Sequence, residues 1–161
     1  MKQLSLLERE DKAKKSTVTL HIDGASRGNP GPASVGCVIK KADKIIEERG
    51  YYLGVKTNNQ AEYAALVLGL ALAKPYITHD DELLIVSDSE LLVKQLNGHY
   101  RVKDPILQKM FVRAKKMLQG IDHRVTHVLR AHNTHADMLA NKALDHKIKL
   151  PDNLALLVHD A

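Results

Sequence analysis

The stretch TVTLHIDGASRGNPGPASVGCVIK, residues 17–40, predicts two strands joined by a segment rich in glycine and proline. The apolar residues Val18, Leu20 and Ile22 alternate with polar ones, a pattern typical of a strand with one buried face. The apolar run after the prolines predicts the second strand. Asp23 ends the first strand and opens an Asp-Gly pair, which is common in turns for backbone reasons alone.

The rest of the chain predicts a third strand and then alternating helices and strands. The predicted strands are residues 17–23, 34–40, 44–53, 82–87 and 122–129, and the predicted helices are residues 59–74, 89–97, 104–119 and 134–147. This order, β-β-β-α-β-α-α-β-α, predicts an α/β fold with a five-stranded mixed sheet flanked by helices. The last two strands are expected to run parallel to the first.

The length of 161 residues fits one domain with an adequate core. We expect a polar N-terminal lead-in over residues 1–15, the main domain over residues 16–147, and a C-terminal tail over residues 148–161 that docks on it. The charged start of the chain lacks the apolar core of a signal peptide. Because the single cysteine, Cys37, suits a reducing compartment, we expect a cytoplasmic protein that contacts no membrane.

The charge balance favours a polyanionic partner such as nucleic acid. The net charge is +5 and the predicted pI is about 9.3, which also fits an ordinary basic protein. The chain has no tryptophan and one phenylalanine, which disfavours a dense aromatic stacking platform for single strands. Nothing in the sequence indicates an obligate protein partner.

Four carboxylates stand at informative positions, although each has a structural explanation when taken alone. Asp23 begins a turn, Glu62 and Asp137 have capping-box spacing, and Asp88 precedes a helix as an N-cap does. Together they lie at the ends of neighbouring strands or in the first turns of helices, so all can meet at one end of the sheet. A hard dication offsets the repulsion in such a cluster, and oxygen ligands suit Mg²⁺ or Mn²⁺.

Four blocks in the same order resemble the ribonuclease H family, type 1. They are DGASRGNPGPA from Asp23, TNNQAEYAAL from Thr57, SDSELLVKQLNG from Ser87 and RAHNTHADMLANKA from Arg130, and together they span about residues 18–144. The resemblance implies the ribonuclease H-like fold and an endonuclease that cuts the RNA strand of an RNA/DNA hybrid. It also implies two Mg²⁺ ions, which Mn²⁺ can replace, and products with 5′-phosphate and 3′-hydroxyl ends.

The resemblance assigns the four carboxylates as catalytic metal ligands. Asp23 matches the residue that bridges both ions, and Asp137 matches a ligand of the ion that activates water. Glu62 and Asp88 match ligands of the ion at the leaving 3′-oxygen. Two ions about 3.5–4 Å apart hold both oxygens of an in-line displacement, which agrees with these roles.

Substrate contacts are also implied by the matching positions. Asn29, Asn58 and Asn59 match residues that contact the hybrid in the minor groove, where the 2′-hydroxyl distinguishes RNA from DNA. Helix capping is the alternative role for Asn58 and Asn59. Thr57 matches a residue that binds a phosphate of the DNA strand, but Val55 stands where the family often has an arginine, and Lys56 is the candidate replacement. Gly24 and Ser26, beside Asp23, complete the predicted substrate-binding set.

Two features depart from many family members. The loop before Asp137 is short, and Arg130 occupies the position of an arginine that some short-loop members use in turnover; His132 is the second candidate. The basic protrusion is missing, so this is a short form of the family. Lys94, Arg101 and Lys103 are candidates for phosphate contacts, and a solvated basic face is the alternative.

Three other functions are weighed against this one. A resolvase or transposase-like nuclease of the same superfamily has no need of the three asparagines that suit a 2′-hydroxyl. A non-catalytic nucleic-acid-binding module gains nothing from carboxylates that face phosphates. A histidine metal site formed by residues 123, 127, 132 and 135 lacks thiolates or nearby convergent carboxylates.

Overall fold

The computed structural model describes residues 15–159. The strands are β1 (Ser16–Ser26), β2 (Gly31–Lys41), β3 (Lys44–Lys56), β4 (Asp81–Ser87) and β5 (His123–His127). The helices are α1 (Asn58–Ala73), α2 (Glu90–Leu96), α3 (Pro105–Leu118), α4 (Thr134–His146) and α5 (Asp152–His159), with 3-10 turns at Lys74–Tyr76 and Arg130–His132. The predicted order of elements is confirmed, and α5 is an additional helix within the predicted tail.

The five strands form one mixed sheet in the order β3-β2-β1-β4-β5. Strand β1 is antiparallel to β2 and parallel to β4, and β4 is parallel to β5. The predicted parallel course of the last two strands is therefore confirmed. Because Ile22 pairs with Ser87 across β1 and β4, the residues that follow them, Asp23 and Asp88, emerge side by side.

Helices cover both faces of the sheet. Helix α1 is buried almost all round, as its alanine and leucine content predicts, and it packs against β1, β2 and α3. On β1, Leu20 and Ile22 are fully buried and face α1 at Gly69. Helix α4 packs on the opposite face against β1, β2 and β3. The sheet with one helix on each face is what holds the ends of β1 and β4 in place.

The predicted capping roles of three carboxylates are wrong. Helix α1 begins earlier than predicted, and Thr57 forms its capping box with Gln60, so Glu62 takes no part. The hydroxyl of Ser89, not the carboxylate of Asp88, accepts from Leu92 N at the start of α2. Helix α4 starts without a side-chain cap, so the capping-box role of Asp137 is absent too. The cap of α3 at Asp104 is confirmed, because its Oδ1 lies 2.8 Å from Ile106 N.

Asp23 also does not begin the turn that the sequence predicted. Strand β1 continues through Gly24 to Ser26, and Asp23 pairs with Gly36 of β2. The hairpin turn comes later, and Arg27 N closes it on Pro32 O at 2.8 Å. Asp23 therefore lies inside a paired strand, where its backbone is rigid.

The C-terminal segment lies on the body of the domain. The Tyr52 N–H donates to the carbonyl of Ile148 at 2.7 Å, and Val158 of α5 is buried. The guanidinium of Arg113 donates to the carbonyl of Leu157, which ties α3 to α5. Residues 1–14, most of the predicted lead-in, and residues 160–161 lie outside the described residues, so the domain boundaries stay a prediction. Among residues 15–159, no helix is both long and apolar enough to cross a membrane.

Candidate active site

The site forms where β1 and β4 bring two aspartates to the same edge of the sheet. Asp23 is only 5% exposed although it is charged in its ordinary state. Asp88 follows β4 directly and is half-buried. Helix α1 crosses this edge and adds Glu62, whose carboxylate accepts a hydrogen bond from the Gly24 backbone. Carboxylate oxygens of these three residues lie within 4.8 Å of one another.

Helix α4 brings the fourth carboxylate, Asp137, to the same place. Asn133, just before the helix, donates from Nδ2 to the carbonyl of Ile22 at 2.8 Å, which holds the start of α4 against β1. Gly36 permits the close approach, since a β-carbon there would lie 2.0 Å from the carbonyl oxygen of Ala136. Asp137 lies near enough to Asp23 to help raise the pKa of that carboxyl. All four predicted carboxylates therefore line one open cleft of about 460 Å³.

Burial and mutual repulsion disfavour the charged forms of this cluster. Burial, followed by the charges of Glu62, Asp88 and Asp137, raises the pKa of Asp23 to about 9. Burial and the charge of Asp88 raise the pKa of Glu62 to about 8, although the hydrogen bond from Gly24 lowers it. A bound cation would offset the repulsion between these carboxylates and favour their charged forms.

These residues fit a divalent metal ion. Glu62 Oε2 is buried and has no hydrogen-bond partner among residues 15–159, so it has an unused lone pair beside the other carboxylates. Within that range, Asp23, Glu62 and Asp88 are the only group of three or more acidic, histidine or cysteine side chains near enough to share an ion. Oxygen-only ligands suit a hard cation. No histidine group of that size exists among the described residues.

Arg130 and His132 have different surroundings. Arg130 is 78% exposed in its side chain, lines the cleft, and places its guanidinium 3.4 Å from Asp137 Oδ1. His132 instead borders a separate cavity of about 140 Å³ that also contains His21 and Lys40. Arg130 therefore lines the acidic cleft and His132 does not, and the role of Arg130 in turnover stays a prediction.

The predicted substrate-binding residues fall into two groups. Gly24, Ser26, Asn58 and Asn59 line the cleft, whereas Asn29 and Thr57 lie beside it. Asn58 and Asn59 are exposed, and neither caps α1, because Thr57 does so. Their capping alternative is therefore wrong, and their amide groups are free to contact a ligand.

Several of the predicted residues have structural partners. Asn29 Oδ1 accepts from Asn58 N at 3.1 Å, which joins the β1–β2 turn to the start of α1. The Ser26 hydroxyl lies 2.9 Å from the Lys56 carbonyl and also contacts the Gly28 carbonyl, so it holds the same turn. Of the predicted basic contacts, Lys94 is paired with Glu90 at 2.7 Å, while Arg101 and Lys103 are exposed.

Four lining residues were not singled out in the sequence: Ala25, Arg27, Ser89 and Asn141. Arg27 pairs with Asp145 of α4 at 2.5 Å and so closes one wall of the cleft. Asn141 donates to the carbonyl of Asp137 at 3.0 Å. Its spacing of four residues from Asp137 places both on one helix face, which is the signal that could have found it.

Comparison with known proteins agrees with the fold. Residues 21–143 match the protein family described as reverse transcriptase-like. The chain is 49% identical over 130 residues to ribonuclease HI of Halobacterium salinarum, which covers 80% of this chain and 64% of that protein. It is 41% identical over 132 residues to a bifunctional protein of Mycobacterium tuberculosis, which covers 80% of this chain and 35% of that protein. The chain thus spans less than two thirds of the length of these relatives.

Solved structures give the same result. The crystal structure of RNase H1 from Halobacterium salinarum matches with a TM-score of 0.76 and 46% identity, over 81% of this chain and 98% of that chain. The crystal structure of LC11-RNase H1 in complex with RNA/DNA hybrid matches with a TM-score of 0.76 and 35% identity, over 80% of this chain and 97% of that chain. The sheet order and the acidic cleft define an α/β protein of the ribonuclease H-like fold. The chain belongs to the ribonuclease H family, type 1.

Proposed function

We propose that this chain is an endonuclease that hydrolyses the RNA strand of RNA/DNA hybrids and leaves 5′-phosphate and 3′-hydroxyl ends. The observation that carries the proposal is the convergence of four carboxylates, released from any capping role, at one open cleft. Their repulsion makes the cleft a site for divalent cations, for which we infer two Mg²⁺ ions, with Mn²⁺ as a substitute. Relatives named ribonuclease H, and one solved with an RNA/DNA hybrid, support the choice of substrate.

Different sets of carboxylates would bind the two metal ions. Asp23, Glu62 and Asp88 would hold one ion, and Asp23 and Asp137 would hold the other. Bound Mg²⁺ supplies activation of the attacking water and stabilisation of the leaving 3′-oxygen. Asp23 pairs with Gly36 of β2, and the residue before it, Ile22, pairs with Ser87 of β4, so the backbone that carries its carboxylate is held in place.

Arg130 lies at the rim of the cleft, where it contacts the cleaved strand. Its guanidinium neutralises part of the charge of Asp137 in the free protein. With substrate bound, the same group can donate to the phosphate oxygens at the cut and to the product that leaves. We therefore assign Arg130 to turnover rather than to tight binding of the hybrid.

The exposed amides of Asn58 and Asn59 suit recognition of the RNA strand. An amide side chain both donates and accepts, as contact with a 2′-hydroxyl and a base edge requires. Both lie beside Glu62 on the first turn of α1, so a nucleotide next to the cut lies within their reach. Asn29 holds the Asn58 backbone in this position. We also infer a cytoplasmic setting, which suits the buried, unpaired Cys37.

The experiment compares cleavage of a labelled RNA/DNA hybrid, duplex RNA and duplex DNA, each with Mg²⁺ or Mn²⁺. We expect cuts only in the RNA of the hybrid, and none by Asp88→Asn. Asp104→Asn is the matched control, because it makes the same chemical change at a helix cap outside the cleft and keeps a good capping residue. Equal cutting of duplex DNA, or binding without cutting under both metals, would overturn the proposal.

A further inference from the structure

Helix α3 has an outer face along which an open groove of about 680 Å³ runs. Its lining combines apolar and polar side chains of α3, among them Pro105, Gln108, Lys109, Val112, Lys116 and Met117. Arg113 also lines the groove, but its guanidinium is engaged with the carbonyl of Leu157. Val112 is 49% exposed, although valine usually lies inside a protein. A segment that covered this face would therefore gain stability by removing apolar surface from water.

The polar part of the groove is basic. Lys109 and Lys116 are exposed, and their ammonium groups have no ion-pair partner among residues 15–159. No acidic side chain within that range lines the groove. The two lysines lie about two helical turns apart, with Val112 between them. An occupant that fits the groove thus needs apolar side chains beside acidic ones.

The chain that precedes β1 joins the domain beside the end of α3. Lys15, directly before β1, places its ammonium group 2.8 Å from Asp122 Oδ2. Asp122 comes soon after Leu118, the last residue of α3, and the Ile121 N–H donates to the Leu118 carbonyl at 3.1 Å. Residues 1–14, which lie outside the described residues, are therefore attached near the C-terminal end of the groove.

The sequence of residues 1–14, MKQLSLLEREDKAK, has the pattern of an amphipathic helix. At helical spacing, a face about 120° wide carries three apolar and two acidic residues and no basic one. These residues are Met1, Leu4, Leu7, Glu8 and Asp11. The basic residues of the segment, Lys2, Arg9, Lys12 and Lys14, all lie outside this face. The face is thus complementary to the groove in both apolar character and charge.

The segment also matches the groove in length. A helix of 14 residues is about 21 Å long, and α3 has 14 residues as well. Because residue 14 is held near the end of α3, such a helix would lie alongside α3 and run in the same direction. Leu7 would then lie level with Val112, and Asp11 would lie level with Lys116.

We propose that residues 1–14 form an amphipathic helix that docks in the groove of α3. The segment and the groove belong to one chain, so docking avoids the entropy cost of bringing two molecules together. A second copy of the chain fits less well, because two identical basic faces repel each other. The docking does not depend on the proposed cleavage of hybrids.

The first test links the segment to the groove with a disulfide. Cys37, the single cysteine of the chain, is only 1% exposed, so added surface cysteines react without interference. The double variant Leu7→Cys, Val112→Cys should form a disulfide within one molecule under oxidised glutathione. Non-reducing gels and peptide mass spectrometry detect the disulfide and show whether it joins one molecule or two.

The matched control is Leu6→Cys with Val112→Cys. Leu6 lies about 100° away from Leu7 around the helix, on the side opposite the apolar face, so its disulfide should form at least roughly tenfold more slowly. Equal rates for the two pairs would overturn the proposal, because they would show a segment without a fixed face. A disulfide between two molecules, or none at all, would overturn it too.

The second test examines the charge pairing through the rate at which the Leu7→Cys, Val112→Cys disulfide forms. Adding Asp11→Lys should slow the reaction about fivefold, since it places a cation beside Lys116, and Lys116→Glu should restore the rate. Glu10→Lys makes the same kind of charge change outside the apolar and acidic face and should have little effect. Equal slowing by Asp11→Lys and Glu10→Lys would overturn the proposed seating of the helix, because only net charge would then matter.

Discussion

Gly24 lies so close to Ala61 that a β-carbon on residue 24 would stand 2.3 Å from the Ala61 carbonyl carbon. The same β-carbon would stand 2.4 Å from the backbone nitrogen of Glu62. The first turns of α1 therefore rest directly on β1, and the glycine sets the distance between Asp23 and Glu62. Its role is contact between backbones rather than the turn that an Asp-Gly pair suggests.

Replacement of Gly24 by alanine should damage both stability and cleavage. The clash forces α1 away from β1, which costs about 1–3 kcal/mol in the free energy of unfolding. Because Glu62 moves with the helix, cleavage should fall roughly 100-fold in the molecules that still fold. Urea unfolding and cleavage rates per folded molecule measure the two effects.

Gly120→Ala provides the comparison for Gly24→Ala. Gly120 follows α3 with φ of +77° and has no atom within 4 Å of the added β-carbon, so its replacement costs about 1 kcal/mol through the backbone alone. Its cleavage rate per folded molecule should match that of the wild-type chain. If Gly24→Ala behaves the same way, the packing role of Gly24 is refuted.

The metal-free protein should lose stability as the pH rises. The pKa values of Asp23 and Glu62, about 9 and about 8, exceed the ordinary 3.8 and 4.5, so between about pH 4 and pH 8 the folded chain holds more protons than the unfolded one. The free energy of unfolding therefore falls through that window. Asp23→Asn removes one titrating group and relieves Glu62, so it should be more stable than wild type at pH 8.

Thermal unfolding in a chelator at several pH values measures this effect. Mg²⁺ should raise the melting temperature of the wild-type chain more at pH 8 than at pH 5, because it binds the ionised carboxylates. Asp23→Asn should respond less to the metal. If the melting temperatures of wild type and Asp23→Asn change with pH in parallel, the pH dependence of stability does not come from this cluster.

Asp81 should stabilise the fold from the far end of the sheet. Burial disfavours its charge, but hydrogen bonds from Ser16, from Thr78 N at 2.8 Å and from Lys41 Nζ at 3.1 Å outweigh burial and hold the pKa of Asp81 below its usual value. Asp81→Asn should therefore cost about 2–4 kcal/mol at pH 7. Cleavage per folded molecule should not change, since Asp81 begins the strand that ends at Ser87.

The pH dependence of this loss has the opposite sign to that of the acidic cluster. A carboxylate with a lowered folded-state pKa stabilises the protein above its unfolded pKa of about 3.8, and the contribution disappears as the pH falls below that value. The difference between wild type and Asp81→Asn in urea should thus shrink below about pH 4. Asp80→Asn, at an exposed neighbour, should be neutral throughout, and a constant difference at all pH values would refute the ionic origin.

Arg130→Ala should lower turnover and leave hybrid affinity nearly intact. Loss of one charge-assisted hydrogen bond to a phosphate corresponds to roughly a 10- to 100-fold fall in kcat. His132→Ala is the control, because His132 borders a different cavity. Single-turnover and steady-state rates separate the cutting step from product release. A larger effect of His132→Ala than of Arg130→Ala would reverse the assignment.

The sequence predicts the order of elements and the meeting of the four carboxylates, because both depend on local signals. Apolar periodicity defines the strands and helices, and a parallel sheet brings strand ends to one edge. The capping roles were harder to predict. Thr57, Asn58 and Asn59 all suit a helix start, and only the backbone geometry selects Thr57.

Features that depend on contacts between distant segments could not be predicted from the sequence. The glycine and proline content after Asp23 suggested an immediate turn, yet pairing with β2 extends β1 to Ser26. Helix α5 has eight residues, too few for a clear periodic pattern. Lys56 of β3 and His159 of α5 line one cavity of about 190 Å³, and no local sequence pattern brings together residues so far apart in the chain.

The strand order β3-β2-β1-β4-β5 also sets when the acidic cleft is completed during synthesis of the chain. The meander of β1, β2 and β3 can form early, but it carries only one of the four carboxylates, Asp23. Strand β4, which pairs with β1 in the middle of the sheet, comes later in the chain. The fourth carboxylate, Asp137, lies in α4, more than a hundred residues after Asp23. A nascent chain on the ribosome therefore has no complete set of four carboxylates until α4 has emerged, so the proposed cleavage cannot begin before that point.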